Sequence, residues 1–449
     1  MKLNRLKMNM RRNLAGVCPR SMLAIAVLVV ATASASAQDR QQTLRLSLQE
    51  AQRYAVDHNY TMQNASLEVK KAEYSKWQTL SSMLPQVKAG FDYQNMCGYE
   101  MVMGEGPTAF HIPMDPNGTF SITASIALTG AQIVGTLMQD IAKNITDISH
   151  KQTEQTTRSQ VRSVYVSILV MEDIVGLLDS SLANMERLEE TTKQSVLAGA
   201  SEQITADQLH VQVASLRNSI QANRRSLQML YNSMILQLGA DVNSKIELTT
   251  KLDEVLNLGY LGSLALSDFD IEKNYNYQML KENEQMAKSN VTMVWMDFTP
   301  TVSLFYQYSN KVYFGDEGMN MTPPNMVGAG ISLPLFSSGT RYAKIQSAKI
   351  DYSEALNSKQ QAEDGLRVQY NQLRYDLVNA IETYQIQKEN LDVTKRVFEN
   401  IAEKYKYGHA SNLEVTNAST DIITAQSNYI QAVMSVVTAE VALEDLLGK

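Results

Sequence analysis

Between Ser338 and Lys406 the chain holds one helical spacing without a break. From Leu366 the apolar residues fall at Tyr370, Leu373, Leu377, Ile381, Tyr384, Leu391, Phe398, Ile401 and Tyr405, in steps of three, four or their sums, which puts them on one face of one helix. At 1.5 Å per residue that helix reaches roughly 100 Å. A return pattern follows the turn Tyr407-Gly408-His409-Ala410-Ser411 and runs to Leu447. A hairpin of this length is built to cross a distance, which the rest of the chain must account for.

The hairpin occurs twice because the chain is written twice. Shifted by 215, Asn59-Tyr60 lands on Asn274-Tyr275, Pro85 on Pro300, Val87 on Val302 and Tyr93 on Tyr308. A shift of 205 lays Ile122, Ala124, Ile126 and Leu128 on Val327, Ala329, Ile331 and Leu333, and a shift of 209 lays Gly199 on Gly408 and Gly239 on Gly448. The order is kept over nearly the whole chain, and the offsets change in loops, where insertions are tolerated. The predicted division is a first repeat over 38–240, a connector over 241–267 and a second repeat over 268–449.

Each repeat reads helix, strand, loop, strand, long helix, tip, return helix. Ser47-Leu48-Gln49-Glu50 is a capping-box start for a helix expected to continue to about Leu80, and Pro85 closes it. Over 86–94, Val87, Ala89, Phe91 and Tyr93 alternate with Gln86, Lys88, Asp92 and Gln94, the mark of a strand with one apolar and one polar face. The same alternation predicts strands over 120–128, 301–308 and 327–333. The stretches 95–119 and 309–326 read as exposed loops. The first hairpin is expected over 131–238 with its tip at Gly199, the second over 338–447 with its tip at Gly408. In the first, Val161, Ile168, Val175 and Leu182 recur by sevens with Val164, Met171, Leu178 and Met185 between them, a coiled-coil seam. Pro334 and Gly339 mark the bend from strand to helix in the second repeat, where the first repeat has Thr129 and Gly130.

The N-terminus reads as an export signal over residues 1–37. Lys2, Arg5, Lys7, Arg11, Arg12 and Arg20 precede or flank a short apolar core from Met22 to Val30, and Ala33-Ser34-Ala35-Ser36-Ala37 offers small-residue cleavage sites. Removing it takes six of the 40 basic residues and none of the 47 acidic ones, a net charge of −13. An acidic chain without a basic stripe excludes nucleic acid as a partner. Cys97 is the one cysteine beyond the signal, so no intrachain disulfide forms after cleavage. No later apolar run is long enough for a membrane helix, so any entry into a membrane is by strands.

A strand with one apolar and one polar face suits a membrane barrel, apolar to lipid and polar to water. Four strands are too few to close one, since about eight is the usual minimum, so the chain must oligomerise. Three copies give twelve strands and six long helices, which is a conduit. A soluble helical bundle explains the helices and leaves the strands without a role.

Here a resemblance becomes specific. The start Leu46-Ser47-Leu48-Gln49-Glu50-Ala51, the entry Leu84-Pro85-Gln86, the segment Leu333-Pro334-Leu335-Phe336-Ser337-Ser338-Gly339 and the tip Tyr405-Lys406-Tyr407-Gly408, in this order from about Leu46 to Gly448, resemble the TolC-like outer membrane efflux proteins. The resemblance implies an α+β membrane protein, a homotrimer whose 12-stranded outer membrane β-barrel continues into a long α-helical barrel in the periplasm. It implies a passive exit duct coupled to a periplasmic adaptor protein and an inner membrane efflux transporter. The same family includes exit ducts for ATP-driven type I protein secretion. A reading from another class is a secreted coiled-coil rod or adhesin without a pore, which membrane fractionation distinguishes.

By the same resemblance, Gly199-Ala200-Ser201 and Gly408-His409-Ala410 are the adaptor-docking tips, and Tyr405, Glu414 and Asn417 belong to the periplasmic gate. Glu414 and Asn417 are three apart and share a helix face, and a three-fold axis gathers three Glu414 carboxylates, favouring cations. The chain departs from the family pattern at Asn417, which removes a ring of charge, and at Ala410, which stands where a basic gate residue occurs. A glycine at each tip also fits plain helix capping.

No cofactor is implied. Met96, Cys97, Met101, Met103, His111 and Met114 offer soft metal ligands, but at spacings that match no fixed site. His58, His111, His150, His210 and His409 are scattered singly, and no phosphate loop or nucleophile motif is present. The chain is not read as an enzyme, and energy for transport has to come from a partner.

Overall fold

The computed structural model describes residues 43–106, 109–199, 201–314 and 323–449. The expected signal peptide over 1–37 lies outside the described residues. The elements are β1 (Thr43–Leu46), α1 (Leu48–His58), α2 (Tyr60–Ser81), β2 (Gln86–Gln94), β3 (Glu100–Met103), β4 (Phe110–Pro113), β5 (Asn117–Leu128), α3 (Gly130–Leu197) and α4 (Gln203–Leu238). The connector holds β6 (Lys245–Leu248), α5 (Leu252–Val255) and α6 (Leu258–Ala265). The second repeat adds α7 (Tyr275–Trp295), β7 (Thr301–Tyr313), β8 (Asn325–Ser332), α8 (Thr340–Lys406) and α9 (Asn412–Leu447). Among the described residues no helix is long and apolar enough to cross a membrane.

The strands form one four-stranded antiparallel sheet in the order β2-β5-β7-β8. Its register carries the apolar alternation from strand to strand. Ala89 faces Ile122, Ile122 faces Tyr308, Ala124 faces Tyr306, Ile126 faces Leu304 and Leu304 faces Ala329, so all four apolar faces merge into one surface. That surface is exposed on β2, β7 and β8 and half-buried along β5, while the polar residues of β7, such as Ser303, Gln307 and Lys311, are half-buried on the other side. Phe305 breaks the pattern on the polar side. Its ring lies across Gly328, where any β-carbon would collide with it, so the glycine is what lets an aromatic cover the strand.

Three strand details differ from the sequence reading. β5 and β7 extend past 120 and 308 because Asn117 pairs with Tyr313. The loop 95–119 contains the hairpin β3–β4, whose four-residue strands are largely exposed on both faces and so carry no alternation. β1 pairs in parallel with β6 across some 200 residues. The buried Tyr165 of α3 fastens that pair by donating its hydroxyl to Leu46 O (3.0 Å) and accepting from Thr250 N (3.1 Å).

The long helices have 68 and 67 residues, each roughly 100 Å. Each is backed by two shorter helices set end to end: α3 packs on α2 and on α4, α8 on α7 and on α9. The two junctions are built alike. The buried Asn59 caps α2 by accepting from Thr61 N (2.7 Å) and donates Nδ2 to Gln237 O in the last turn of α4 (2.7 Å). Asn274 caps α7 by accepting from Tyr277 N (3.2 Å) and donates to Leu446 O of α9 (2.9 Å). Gly239 and Gly448, both left-handed, close the return helices against the carbonyls of His58 and Lys273, which a β-carbon at either glycine would strike. One asparagine therefore satisfies orphan groups of two helices at once. It also divides into α1 and α2 the helix that the sequence pattern reads as continuous from Ser47 to Leu80.

The seam of α3 runs through Val161 and Ile168, then Ile174, Leu178, Ser181, Met185, Leu188 and Thr192. Val175 and Leu182, placed in the seam by strict sevens, are only half-buried, because a straight helix drifts against a 3.5-residue repeat. On α8 the predicted face holds, with Leu377, Tyr384 and Phe398 buried.

Candidate functional site

The far ends of the two hairpins are finished by reversed hydrogen bonds. Beyond α8, Gly408 N donates to Tyr405 O (2.9 Å) and His409 N to Lys404 O (2.9 Å), with Gly408 at φ +74°, a Schellman end. Beyond α3, Gly199 at φ +72° donates to Val196 O (2.9 Å). A β-carbon on either glycine would meet nothing within 4 Å, so backbone conformation and not crowding selects glycine here. His409 is exposed, and Ser201 and Ala410 are half-exposed. Ala200 lies outside the described residues.

The return helix α9 begins with a capping box. Ser411 Oγ accepts from Glu414 N (3.3 Å), and Glu414 Oε2 accepts from Ser411 N (2.6 Å) and Ser411 Oγ (2.8 Å). The backbone hydrogen bond from Ser411, then the one from its hydroxyl, hold the Glu414 carboxyl below its ordinary range. The signal for this was the spacing Ser411-x-x-Glu414, which the sequence reading passed over. Glu414 thus engages Ser411, on its own helix, and Asn417 stands exposed one turn on.

Tyr405 is joined to a partner that sequence reasoning missed. Its hydroxyl lies 3.0 Å from Thr192 Oγ1. Thr192 spends its own proton on Leu188 O (2.9 Å), so Tyr405 is the donor. The bond ties α3 of the first repeat to α8 of the second just above both tips. One turn higher, Glu189 accepts from Lys193 (2.7 Å) and His210 Nδ1 (2.8 Å), which joins α3 to α4; the Lys193 hydrogen bond is the main cause of a lowered Glu189 carboxyl. No local motif predicts a pair such as Thr192–Tyr405, since its members are 213 residues apart. Beside the tips, Ile204, Asp207 and Val211 of α4 and Leu413 and Thr416 of α9 line an open groove of about 660 Å³.

At the other end, Pro334 lies in the segment between β8 and α8, and its carbonyl accepts from Arg341 Nη1 (2.8 Å). Gly339, at φ +83°, is the N-cap of α8. In the first repeat Thr129 and Gln132 form a side-chain capping box instead, so the two bends differ in construction as the sequences do. In the Met-rich stretch, His111 pairs with Glu100 (3.3 Å). Among the described residues no three His, Cys, Asp or Glu side chains gather to hold a metal ion.

The same fold occurs in solved channels. The structure is similar to CusC, over 89% of this chain and 92% of that one, with a TM-score of 0.72 at 15% identity. It is similar to VceC of Vibrio cholerae over 89% and 96%, with a TM-score of 0.69 at 14% identity. The outer membrane efflux protein BepC of Brucella suis biovar 1 (strain 1330) is 21% identical over 309 residues, 67% of this chain and 64% of that protein. Residues 272–449 match the family model for outer membrane efflux proteins. The chain is thus similar to the outer membrane efflux protein family over its second repeat. It is an outer membrane protein, and the family is one of channels rather than enzymes. The chain spans about 64% of the length of BepC.

Proposed function

We propose that three copies of this chain form an exit duct, a passive channel of a multi-component efflux pump. The observation that carries the reading is the sheet. Its apolar side is continuous and largely exposed, and among the described residues its outer strands, β2 and β8, have no further partner within the sheet. In lipid every backbone group has to be paired within protein, and a four-stranded sheet meets that demand by joining copies of itself. Three copies give twelve strands, and the helical hairpins extend the duct by roughly 100 Å.

In this reading the polar side of the sheet faces water and the apolar side faces outer membrane lipid. The tips at Gly199-Ala200-Ser201 and Gly408-His409-Ala410 dock a periplasmic adaptor, and the adaptor links the duct to an inner membrane efflux transporter. The bond from Tyr405 to Thr192 holds the hairpins together at the entrance. Glu414 and Asn417 line it just inside, with Glu414 oriented by its capping box. Energy comes from the transporter.

Membrane fractionation, migration of unheated samples in gels and planar-bilayer recording test the reading together. The expected result is a heat-dissociable trimer in the outer membrane fraction that conducts ions. A soluble or peripheral rod without conductance would overturn it.

A further inference from the structure

Where α9 returns to the connector, three carboxylates lie within one and a half turns, and two of them, Glu440 and Glu444, meet a single guanidinium. Arg162 of α3 reaches Glu440 Oε1 at 2.5 Å and Glu444 Oε2 at 3.2 Å. Glu444 also accepts from the hydroxyl of Tyr260 on α6 (2.6 Å), and Asp445 accepts from Ser159 of α3 (2.7 Å). Glu440 is 1% exposed, and its Oε2, like Arg162 Nε, is buried without a hydrogen-bond partner. One positive charge cannot neutralise three negative ones, and a buried carboxylate oxygen with no donor is costly. A proton on Glu440 removes the excess charge nearest the core and turns the stranded acceptor into a hydroxyl.

We propose that Glu440 is the proton-binding site of a clasp between the two hairpins: protonated, it lets α9 seat against α3 through Arg162, and ionised, it loosens that joint. The titratable and charged groups around it are Arg162 on α3, Tyr260 on α6, and Glu444 and Asp445 on α9. Burial is the main cause that raises the Glu440 carboxyl, to about 7; Arg162 opposes and Glu444 adds to it. A carboxyl raised on folding stabilises below its ordinary value of 4.5, and that stability is lost as the pH climbs through about 7. The clasp is thus tight in acid and loose in mild alkali.

The clasp lies within one protomer, so its test does not depend on the channel reading. Infrared difference spectra of the purified full-length protein between pH 5 and 9 are expected to show a protonated-carboxyl band that disappears around pH 7. The band is absent in Glu440→Gln and moves to lower pH in Glu444→Gln, where a like charge has gone. Hydrogen exchange at pH 8.5 is expected to be several-fold slower over 430–447 in Glu440→Gln than in the parent, and equal at pH 5.5. A parent spectrum without such a band would overturn the proposal even if Glu440→Gln failed to fold. A titrating Glu440 with exchange equal in the two proteins at both pH values would overturn the clasp.

Discussion

The two asparagine junctions carry a prediction that can be worked from their geometry. In Asn59→Ala, α2 loses its N-cap, a change that costs about 0.5–2 kcal/mol. The part-buried carbonyl of Gln237 loses its donor (2.7 Å in the parent), at about 1–3 kcal/mol. The effects share one side chain, so the expected sum is about 2–4 kcal/mol rather than their full maximum. Asn274→Ala removes the same pair of bonds, to Tyr277 N and Leu446 O, and should cost a similar amount.

Asn59→Asp separates the two contributions. Aspartate keeps the capping oxygen for Thr61 N but sets a carboxylate against the Gln237 carbonyl, so it should be at least as damaging as alanine. Urea unfolding of the purified protein, with hydrogen exchange localised to 230–240 and 438–448, reads both variants. Losses confined to the junction that was changed are expected, and near additivity in the double variant. An Asn59→Asp protein as stable as its parent would refute the reasoning, because it would mean that the donor to Gln237 contributes nothing.

Other predictions bear on the entrance and the sheet. Thr192→Val removes the acceptor of Tyr405 and keeps the shape; single-channel recording should find a larger basal conductance, and an unchanged one would show that the bond does not hold the entrance. Glu414→Gln should weaken cation preference and block by divalent ions, with no change in trimer content. Because its hydrogen bonds lower the Glu414 carboxyl, the capping contribution is present above the ordinary value of 4.5 and is lost as the pH falls below it; the cation preference of the parent should fade over the same acid range. Gly408→Pro, or a bulky residue at Gly199, should abolish export while trimers persist, since both positions are left-handed and surrounded by open space. Leu304→Arg on the apolar side should cost about 2–4 kcal/mol if it sits at mid-membrane, seen as loss of the protein from the outer membrane fraction.

How far the sequence reveals this molecule depends on the range of each interaction. The sheet faces are legible because a period of two is local: Val87 to Tyr93 and Val302 to Tyr308 state their faces without their partners. The stripe on α8 is legible for the same reason, at a period of 3.6. The pairing of β1 with β6 is not, since two four-residue strands, although each alternates, are too short to name a partner that lies across the whole first repeat. The break at Asn59 is hidden because a single asparagine within an apolar periodicity is tolerated in a helix; the sequence shifts match Asn59 with Asn274 and Gly239 with Gly448, but only the structure shows that each pair meets at one junction. Thr192 is invisible from Tyr405 for want of any local rule, whereas the capping role of Glu414 stood in plain letters at Ser411. Glu440 looks in sequence like any surface glutamate of a return helix, and burial alone makes it unusual.

The claim that everything else depends on is that the sheet closes with copies of itself through β2 and β8. With Cys97 replaced by Ser, single cysteines at Val87, Ala89 or Phe91 can be paired with single cysteines at Val327, Ala329 or Ile331 in the same chain. Within one protomer these strands are separated by three strand spacings, about 14 Å, too far for a disulfide. The account predicts covalent dimers and trimers on non-reducing gels of outer membrane preparations, for the pairs that share a register. Monomers alone from every pair, in protein shown to be in the membrane, would contradict it.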